Sequence, residues 1–338
     1  MDFGLGLSAR HPSLLAGHAR AAEEAGFSHL WIYDGPRFAE AHVAMTHCAA
    51  VAPRLTVGTA VTNTETRDPT VTANAFATLA ALTGGRVVLG IGRGDSAVKY
   101  LGQPPARFDA FREKVLLIRA LLRGEQVDYH GKTLALPAPP ETPPALLISA
   151  DGPKTWEFAG ASCDGAIVSL GGWPRYLRYA IGKIRDSAVK AGRDPRALYV
   201  CAWTHCVVGR TRRQAIDELV AQASRAIFRG ALTASHEALG LPGPLVPEDV
   251  RRRVLDDLGR QDREFAPARE LAAALGDDLL QEIALVGTAE DCAGKVDELA
   301  AVDGIDQLAL TIHAVDREPA LILFRERVIP RYGGRHSI

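Results

Sequence analysis

The amino-acid sequence predicts an α/β fold, a (β/α)8 TIM barrel with a helical insertion between its seventh and eighth strands. Short apolar runs alternate with longer segments of helical periodicity from the first residue onward, which is typical of repeated βα units and a parallel sheet. The chain has 338 residues, 47% of them apolar, enough to form the core of one large α/β domain. We therefore expect a single barrel domain over residues 1–338.

Eight of the apolar runs have the length of a buried strand and end at turn residues. In chain order these predicted strands are Phe3–Leu7, His29–Tyr33, Leu55–Val61, Arg86–Ile91, Ala145–Ser149, Gly165–Ser169, Leu198–Val207 and Gln307–Ile312. The predicted helices between them are Ser13–Ala25, Ala39–Ala50, Thr70–Leu82, Phe108–Leu122, Thr155–Ala161, Trp173–Lys190, Arg212–Ile227 and Ala289–Ala301.

Capping residues at the ends of two helices support these boundaries. Asp68 before Pro69 is a helix N-cap followed by proline in the first turn, and Gly84-Gly85 ends the same helix before the next strand. Thr288, with Asp291 three residues later, resembles a capping box that opens the last helix. The boundaries therefore have local support beyond the apolar pattern.

Two stretches exceed the minimal βα repeat. Residues 124–144 contain five prolines, which predicts a β-ribbon or a loop before the fifth strand. Residues 230–283 predict a mostly helical insertion with charged residues around Arg251 and Arg260. Charge at helical spacing usually faces water, so this insertion is either a solvated surface helix or a lid over a substrate.

The charge balance and hydropathy exclude several classes of partner. Lys and Arg total 39 against 40 Asp and Glu, and no block of like charge is present, so we expect no binding to nucleic acid. The start of the chain has no basic flank or long apolar segment, and no apolar run approaches the ~18 residues that span a bilayer. We therefore expect a cytoplasmic protein without membrane association.

The cysteines indicate a reducing compartment. They are Cys48, Cys163, Cys201, Cys206 and Cys292, an odd number without a C-x-x-C pair. The ten histidines include no H-E-x-x-H motif, so we predict no metal site. Cys201 and Cys206 fall on one predicted strand, where their odd spacing turns them to opposite faces.

The residues directly after the predicted strands are the first candidates for a functional site, because the loops after parallel barrel strands converge on one face. These positions hold glycine and small polar residues, and few of the paired carboxylates, Cys or His that hydrolysis requires. Gly152 and Gly171-Gly172 each precede a predicted helix, where free N–H groups and the helix dipole favour an anion such as phosphate. Glycine after a strand is also ordinary turn chemistry, so composition leaves both interpretations open.

Well-known nucleotide and hydrolase motifs are missing from the sequence. The run Gly90-Ile91-Gly92-Arg93-Gly94 lacks the G-x-G-x-x-G spacing that opens a dinucleotide-binding helix. Neither G-x-x-x-x-G-K-[ST] nor G-x-S-x-G is present, which excludes a P-loop and a nucleophile elbow.

Several segments carry recognisable motifs. They are Trp31–Asp34, Gly58–Asn63, Thr66–Pro69, Gly84–Asp95, Gly152–Lys154 and Gly287–Asp291. Together they resemble the luciferase-like monooxygenase superfamily over residues 3 to about 312, and more narrowly its deazaflavin-dependent branch, typified by methylenetetrahydromethanopterin reductase. The resemblance implies a TIM-barrel oxidoreductase that uses coenzyme F420.

The resemblance also implies where the cofactor lies. Relatives have a non-proline cis peptide behind the deazaflavin ring, which matches the bond Ala60–Val61 here, and a phosphate on the loops after strands five and six. The implied cofactor-binding residues are Asp34, Ala60, Val61, Thr62, Asn63, Gly94, Ser149, Ala150, Gly152, Pro153, Leu170, Gly171 and Gly172. The general barrel rule instead places phosphate after strands seven and eight, at Gly287 and Thr288. We prefer the family placement, because the two anion loops then lie side by side.

Two positions depart from the family pattern. Relatives that oxidise alcohols or sugar phosphates carry His after the strand-two Asp, where this chain has Gly35, and the methylenetetrahydromethanopterin reductase has an acidic residue where this chain has Gly6. Neither activity is therefore transferred to this chain. Asp34 and Asp95 are the predicted catalytic residues for proton handling, although each also suits a turn-forming or helix-capping carboxylate.

The leading hypothesis is an F420-dependent oxidoreductase that transfers a hydride between the deazaflavin C5 and a small organic molecule. The alternatives are an FMN-dependent monooxygenase on the same barrel, and a flavin-binding barrel that has lost catalysis. We also predict a homodimer, because segment 39–50 is unusually apolar for an exposed helix and its alanines allow close helix approach.

Overall fold

Eight parallel strands form a closed barrel in the computed structural model, which describes residues 1–8, 11–222, 239–241, 243, 245–252, 268–314 and 316–332. The strands of the chain are β1 (Asp2–Leu7), β2 (His29–Ile32), β3 (Thr56–Thr59), β4 (Thr62–Asn63), β5 (Val87–Gly92), β6 (Val127–Tyr129), β7 (Lys132–Leu134), β8 (Ala145–Ser149), β9 (Gly165–Val168), β10 (Tyr199–Val208), β11 (Leu285–Gly287) and β12 (Gln307–Ile312). The barrel order is β1-β2-β3-β5-β8-β9-β10-β12, and pairing of β12 with β1 closes it.

Helices cover the outside of the barrel. They are α1 (Leu15–Glu24), α2 (Ala41–Val51), α3 (Pro69–Thr83), α4 (Ser96–Tyr100), α5 (Phe108–Leu122), α6 (Pro153–Ser162), α7 (Pro174–Lys190), α8 (Arg212–Gln222), α9 (Ala268–Leu275), α10 (Asp277–Ile283), α11 (Ala289–Ala300), α12 (Glu318–Leu323) and α13 (Ile329–Tyr332). Their apolar faces and the outward faces of the strands form the main core. None of the described helices is long and apolar enough to cross a membrane.

The predicted strands and caps agree with this structure. All eight predicted strands are barrel strands, although the third ends at Thr59, next to a cis peptide bond between Ala60 and Val61. Asp68 caps α3 by accepting from the Thr70 N–H, and Gly84 ends that helix with φ of +61°. The Thr288–Asp291 capping box opens α11 as predicted.

Of the two irregular stretches, residues 124–144 are fully described and residues 230–283 only in part. Residues 127–134 form an antiparallel hairpin of β6 and β7, as predicted for the proline-rich segment. Most of the 230–283 insertion lies outside the described residues, apart from α9, α10 and short pieces before them, and the predicted helix Arg212–Ile227 is described to Gln222. The sequence did not predict α4, β11, α12 or α13, because a short element has too few residues to show a period.

Aromatic side chains fill the barrel interior. Trp31 is fully buried, and its indole Nε1 donates to Gln307 Oε1 at 2.9 Å. A Cβ at Gly4 or Gly58 would lie 2.6 Å from the Trp31 ring, so these two strands need glycine beside it. Cys201 lies in this inner cluster and Cys206 in the outer core, which confirms that they occupy opposite faces of β10.

Candidate active site

Asp34 follows β2 at the carboxyl end of the barrel, with only 4% of its side chain exposed. The two terminal nitrogens of Arg67 donate to its two carboxylate oxygens, Nη2 reaching Oδ1 at 3.1 Å. The Thr62 hydroxyl donates to Oδ2 at 2.6 Å, so the structure joins the residues after β2 and β3. Both oxygens of Asp34 already accept hydrogen bonds from a cation, which suits an anchoring carboxylate better than a proton donor.

Glu40 is a member of this cluster that sequence analysis missed. It accepts from Arg67 and caps α2 by accepting from the Val43 N–H at 2.8 Å. Burial lowers the pKa of Arg67, but the hydrogen bonds and charges of Asp34 and Glu40 outweigh it and hold that pKa above its ordinary value. A carboxylate directly before an apolar helix is favoured by the helix dipole, and this signal could have drawn attention to Glu40.

Asn63 is buried at the end of β4, with 2% of the residue exposed. Its Oδ1 accepts from the N–H groups of Glu65 and Thr66, both at 2.9 Å. Among the described residues nothing accepts from its Nδ2, which is also buried. A buried amide donor without a partner is costly, so this atom is suited to a bound polar ligand.

Val61 lies beside the fifth and eighth strands of the chain. The Ala60–Val61 peptide bond is cis, as the family resemblance implied. A Cβ at Gly92 would lie 3.0 Å from Val61 Cγ2 and 3.4 Å from Ser149 Cβ, so glycine there lets these two side chains come together. The structure thus brings Ala60, Val61 and Ser149 to one part of the barrel end.

Gly94 and Asp95 follow β5. Gly94 has φ of +79°, and a Cβ there would lie 3.2 Å from Asn63 Cβ, so glycine satisfies both backbone and space. Asp95 precedes α4 and forms an ion pair with Lys99 at 2.6 Å. The structure therefore places the two predicted catalytic carboxylates in separate ion pairs, with Arg67 and with Lys99.

The loops after β8 and β9 lie side by side, as the family placement of phosphate required. The Asp151 carboxylate accepts from the Ser169 N–H at 2.8 Å and from its hydroxyl at 2.9 Å, which joins the two loops. Ala150 is buried and accepts from Trp156 Nε1 at 2.9 Å. Gly152 caps α6, which begins with Pro153, and a Cβ at Gly152 would meet nothing within 4 Å.

The N–H groups of two glycines in these loops are used in hydrogen bonds within the chain. The Gly171 N–H donates to the Trp203 carbonyl at 2.8 Å, and the Gly152 N–H donates to Thr155 Oγ1 at 3.2 Å. A Cβ at Gly171 would lie 2.4 Å from Trp203 N, and one at Gly172 would lie 2.4 Å from a backbone oxygen. Close backbone packing explains both glycines without an anion, against β10 at Gly171 and against Ile283 at the end of α10 at Gly172.

Leu170 precedes these glycines and shapes the same loop. It has φ of +54°, an unusual value for a residue with a branched side chain, and it is buried. Its carbonyl accepts from the Trp173 N–H at 2.9 Å, one residue before α7. The backbone thus turns sharply into the helix at this point.

The opposite side of the barrel end carries an aromatic and hydroxyl cluster that sequence analysis did not predict. The hydroxyls of Tyr33 and Thr311 are hydrogen-bonded at 2.5 Å, and Trp203 Nε1 donates to Thr311 Oγ1 at 3.0 Å. Burial raises the pKa of Tyr33 to about 12, so it is a neutral phenol. Period-two spacing along β10 is the signal that could have identified Trp203 as inward-facing.

His205 and His313 lie two residues beyond Trp203 and Thr311, His205 within β10 and His313 directly after β12. Their rings share a hydrogen bond between Nδ1 of His205 and Nε2 of His313 at 2.7 Å. Burial lowers the pKa of His205 to about 4. Burial, followed by the charges of His205 and Arg317, lowers the pKa of His313 to about 2, so both rings are neutral near pH 7.

Gly6 and Gly35, the two positions that depart from the family pattern, differ in the space available for a side chain. A Cβ at Gly6 would lie 2.6 Å from Trp203 Cζ2 and 2.9 Å from the Tyr33 hydroxyl, so the tryptophan and tyrosine occupy the space of any side chain there. A Cβ at Gly35 would lie 3.4 Å from Ala97 Cβ, an ordinary contact. Among the described residues no group of three or more His, Cys, Asp or Glu could hold a metal ion.

Comparison with protein families finds one matching model, the luciferase-like monooxygenase family, over residues 2–307. The chain is 27% identical over 350 residues to 5,10-methylenetetrahydromethanopterin reductase of Methanolobus tindarius, covering 97% of this chain and 100% of the relative. It is 36% identical over 178 residues to the F420-dependent glucose-6-phosphate dehydrogenase of Mycolicibacterium fortuitum, covering 48% and 53% of the two chains.

Solved structures with the same fold include enzymes that use F420. The coenzyme F420-dependent tetrahydromethanopterin reductase from Methanopyrus kandleri superposes with a TM-score of 0.77 at 22% identity, covering 98% of this chain and 99% of the other. An F420-dependent secondary alcohol dehydrogenase in complex with an F420-acetone adduct has a TM-score of 0.76 at 22% identity, covering 97% and 98%. At these identities the two structures support the barrel fold.

Proposed function

Since the chain belongs to the luciferase-like monooxygenase family, we propose that it is a coenzyme F420-dependent oxidoreductase that transfers a hydride to or from a small organic molecule. The observation that carries this proposal is the buried Nδ2 of Asn63, which has no hydrogen-bond acceptor among the described residues. A methylenetetrahydromethanopterin reductase is similar to nearly the whole chain, and an F420-dependent glucose-6-phosphate dehydrogenase is similar to about half of it. These two relatives support F420 as the cofactor.

The residues at the barrel end fit a flat, polar-edged ring with a phosphate tail. Asn63 would donate from Nδ2 to a polar atom at the ring edge, next to the Asp34 and Thr62 cluster. Ala60 and Val61 would lie against one ring face, and the joined loops that contain Gly152 and Ser169 would hold the phosphate. These residues offer a donor, an apolar surface and a helix N-terminus in one region.

The cofactor supplies the hydride-carrying carbon, and the chain supplies binding, orientation and a shielded site. The Asp34 carboxylate accepts hydrogen bonds from Arg67 and Thr62 and so holds the ends of β2 and β4 together. The aromatic rings of Tyr33 and Trp203, whose centroids are 6.0 Å apart, would shield the reacting atoms from water on the side formed by β2 and β10. Together these groups would hold the cofactor ring and a substrate against each other.

Titration of the purified protein with oxidised F420 and with FMN tests the cofactor assignment. We expect F420 to bind more tightly, followed by a change of its absorbance near about 420 nm when carbonyl and alcohol compounds are added. Tighter binding of FMN, together with oxygen consumption, would instead support a flavin monooxygenase. Binding without any hydride exchange would support a barrel that has lost catalysis.

We also propose a homodimer formed through α2 and α3, which contact each other on the barrel surface. These helices contain no Lys, Arg, Asp or Glu in their 11 and 15 residues, although part of each faces outward. Val43, Val71 and Leu82 are exposed by 69%, 56% and 66%, which is unusual for a surface that contacts only water. Light scattering that gives twice the 36.2 kDa mass of one chain is the expected result.

A cytoplasmic location and a single domain over residues 1–338 complete the proposal. All five cysteines are free and buried, as expected for a protein in a reducing compartment. Fractionation of cells that express the tagged full-length protein, and a single cooperative unfolding transition, test these two statements.

A further inference from the structure

His205 and His313 form a second polar cluster at the barrel end, besides the cluster around Asp34. They follow inward-facing residues of β10 and β12, since Trp203 and Thr311 lie two positions earlier on the same strands. Their ring centroids are 4.8 Å apart, and both residues are partly exposed. Among the described residues, no hydrogen bond uses the outer nitrogens, Nε2 of His205 and Nδ1 of His313. The pair therefore has two free polar ends.

The other candidates for moving a proton are occupied. Both oxygens of Asp34 accept from Arg67, and Asp95 pairs with Lys99. Position 6 has no room for a side chain, because Trp203 and the Tyr33 hydroxyl fill it. Position 35 is glycine, which has no side chain to donate or accept a proton. Of the described residues considered so far, the histidine pair and Tyr33 remain, and the phenol is already bonded to Thr311.

Two neutral imidazoles joined by one N–H···N bond form a relay with a donor at one end and an acceptor at the other. If one outer nitrogen gives up its proton, the bridging proton can shift between the rings, and the second outer nitrogen can take a proton from water. Each ring is neutral before and after the shift. Such a relay avoids the imidazolium ion, which burial disfavours at both residues.

We propose that the His205–His313 pair is the proton relay of the hydride-transfer reaction, supplying the proton that a substrate oxygen needs when the neighbouring carbon gains the hydride. The proposal rests on the F420-dependent activity proposed above. With a carbonyl substrate in the reducing direction, the carbonyl carbon gains a hydride with its two electrons from the reduced deazaflavin, and the carbonyl π pair moves to oxygen. The oxygen then gains a proton from one outer imidazole nitrogen, and water returns a proton to the other. The alcohol is the reduced product, and the deazaflavin is oxidised.

The test compares wild type with His205→Gln, His313→Gln and the double variant. The control is His130→Asn, which changes an exposed imidazole at the turn of the β6–β7 hairpin, where φ is +52° and asparagine is well tolerated. The F420 dissociation constant is measured by fluorescence, and turnover is measured with acetone, cyclohexanone, 2-propanol and cyclohexanol as probes. We expect unchanged F420 affinity, at least about a 100-fold loss of turnover in each single variant, and no further loss in the double variant.

Non-additivity distinguishes a relay from two structural residues, because removal of either ring breaks the same path. Single variants that keep turnover within threefold of wild type would overturn the relay while leaving the F420 assignment intact. A wild type that does not bind F420 would overturn the proposed function itself, and the relay with it.

If wild type binds F420 but reduces or oxidises none of the probes, nitrogen NMR of histidine-labelled protein tests whether His205 and His313 form the relay. We expect ring signals of two neutral, hydrogen-bonded imidazoles that change when oxidised F420 binds and that are lost in the variants. Rings that titrate independently near the ordinary value of about 6.5, or signals that ignore bound F420, would contradict the relay.

Discussion

Arg67 donates from its two terminal guanidinium nitrogens to the two carboxylate oxygens of Asp34. This pair links the segments that follow the carboxyl ends of β2 and β4. The Asp34 side chain is 4% exposed and that of Arg67 is 20% exposed, so the pair is largely removed from water. Loss of the cation leaves a buried carboxylate with the Thr62 hydroxyl as its remaining donor among those described. Replacement of either residue of the pair should therefore lower the free energy of unfolding.

Arg67→Ala should lower the free energy of unfolding by about 3 kcal/mol, because it leaves the Asp34 charge uncompensated. Arg67→Lys should lower it less, since the charge stays while the second hydrogen bond is lost. Urea unfolding measures both. The matched control is Arg54→Ala, whose pair with Glu23 involves an arginine that is 73% exposed and should contribute less than about 1 kcal/mol. Equal losses at positions 54 and 67 would contradict the role of the Asp34 pair.

Gly171→Ala should lower the stability of the protein, whereas Gly152→Ala should weaken cofactor binding without a loss of stability. A Cβ at position 171 would lie 2.4 Å from Trp203 N, so this variant should lose about 1 to 3 kcal/mol of stability. A Cβ at position 152 would meet nothing within 4 Å, so that variant should fold normally. If the α6 N-terminus holds the cofactor phosphate, Gly152→Ala should weaken F420 binding about 10-fold. Unchanged F420 affinity in Gly152→Ala would place the phosphate elsewhere.

Asn63→Asp should affect cofactor binding and stability to different degrees. The new carboxylate can still accept from the N–H groups of Glu65 and Thr66, which offsets part of the cost of burying a charge, so the variant should fold with a reduced free energy of unfolding. It replaces the Nδ2 donor by an acceptor, so F420 binding should weaken by about 10- to 100-fold. Fluorescence titration and urea unfolding of the same preparation measure the two effects. A variant that binds F420 as wild type does would exclude Asn63 from the ring edge.

Stability should fall when the pH is lowered from 7 to 5, in part through His29. This residue is 4% exposed, and burial lowers its pKa to about 4. Because the folded pKa lies below the unfolded value of about 6.5, the unfolded chain binds more protons in this window, and stability is fully present only above about pH 6.5. The expected loss at pH 5 is about 2 kcal/mol for this group. His29→Gln should show a shallower pH dependence of the unfolding free energy, and an identical slope would count against this explanation.

Val43→Glu and Leu82→Glu should dissociate the proposed homodimer, because each places a charge on the uncharged surface of α2 and α3. Light scattering should then give the mass of one chain. The control is Val189→Glu on α7, where a residue that is 61% exposed lies on a helix with several charged neighbours and should not affect the mass. A monomeric wild type would reject the dimer before any variant is made.

Much of the candidate site was predictable because the local sequence signals were strong. The residues after each predicted strand do lie at one end of the barrel, and the loops with Asp151 and Ser169 touch, as two parallel neighbouring strands require. The family resemblance located the cis peptide at Ala60–Val61. Sequence reasoning left the role of Gly171 open, because a glycine looks the same in a ligand loop and in a close backbone contact, and the structure shows its N–H and its missing Cβ serving packing against Trp203.

The sequence by itself determined the alternation of strands and helices, their caps and the glycine-rich strand ends, since these depend on neighbours within a few residues. Only the tertiary structure decided which side chains meet across the barrel. His205 and His313 are 108 residues apart, and they come together because β10 and β12 pair in one register, with His205 opposite Thr311. Glu40, at the start of α2, likewise reaches Arg67, which lies before α3. Strand register and barrel closure bring together residues that are distant in sequence, and no local pattern encodes that arrangement.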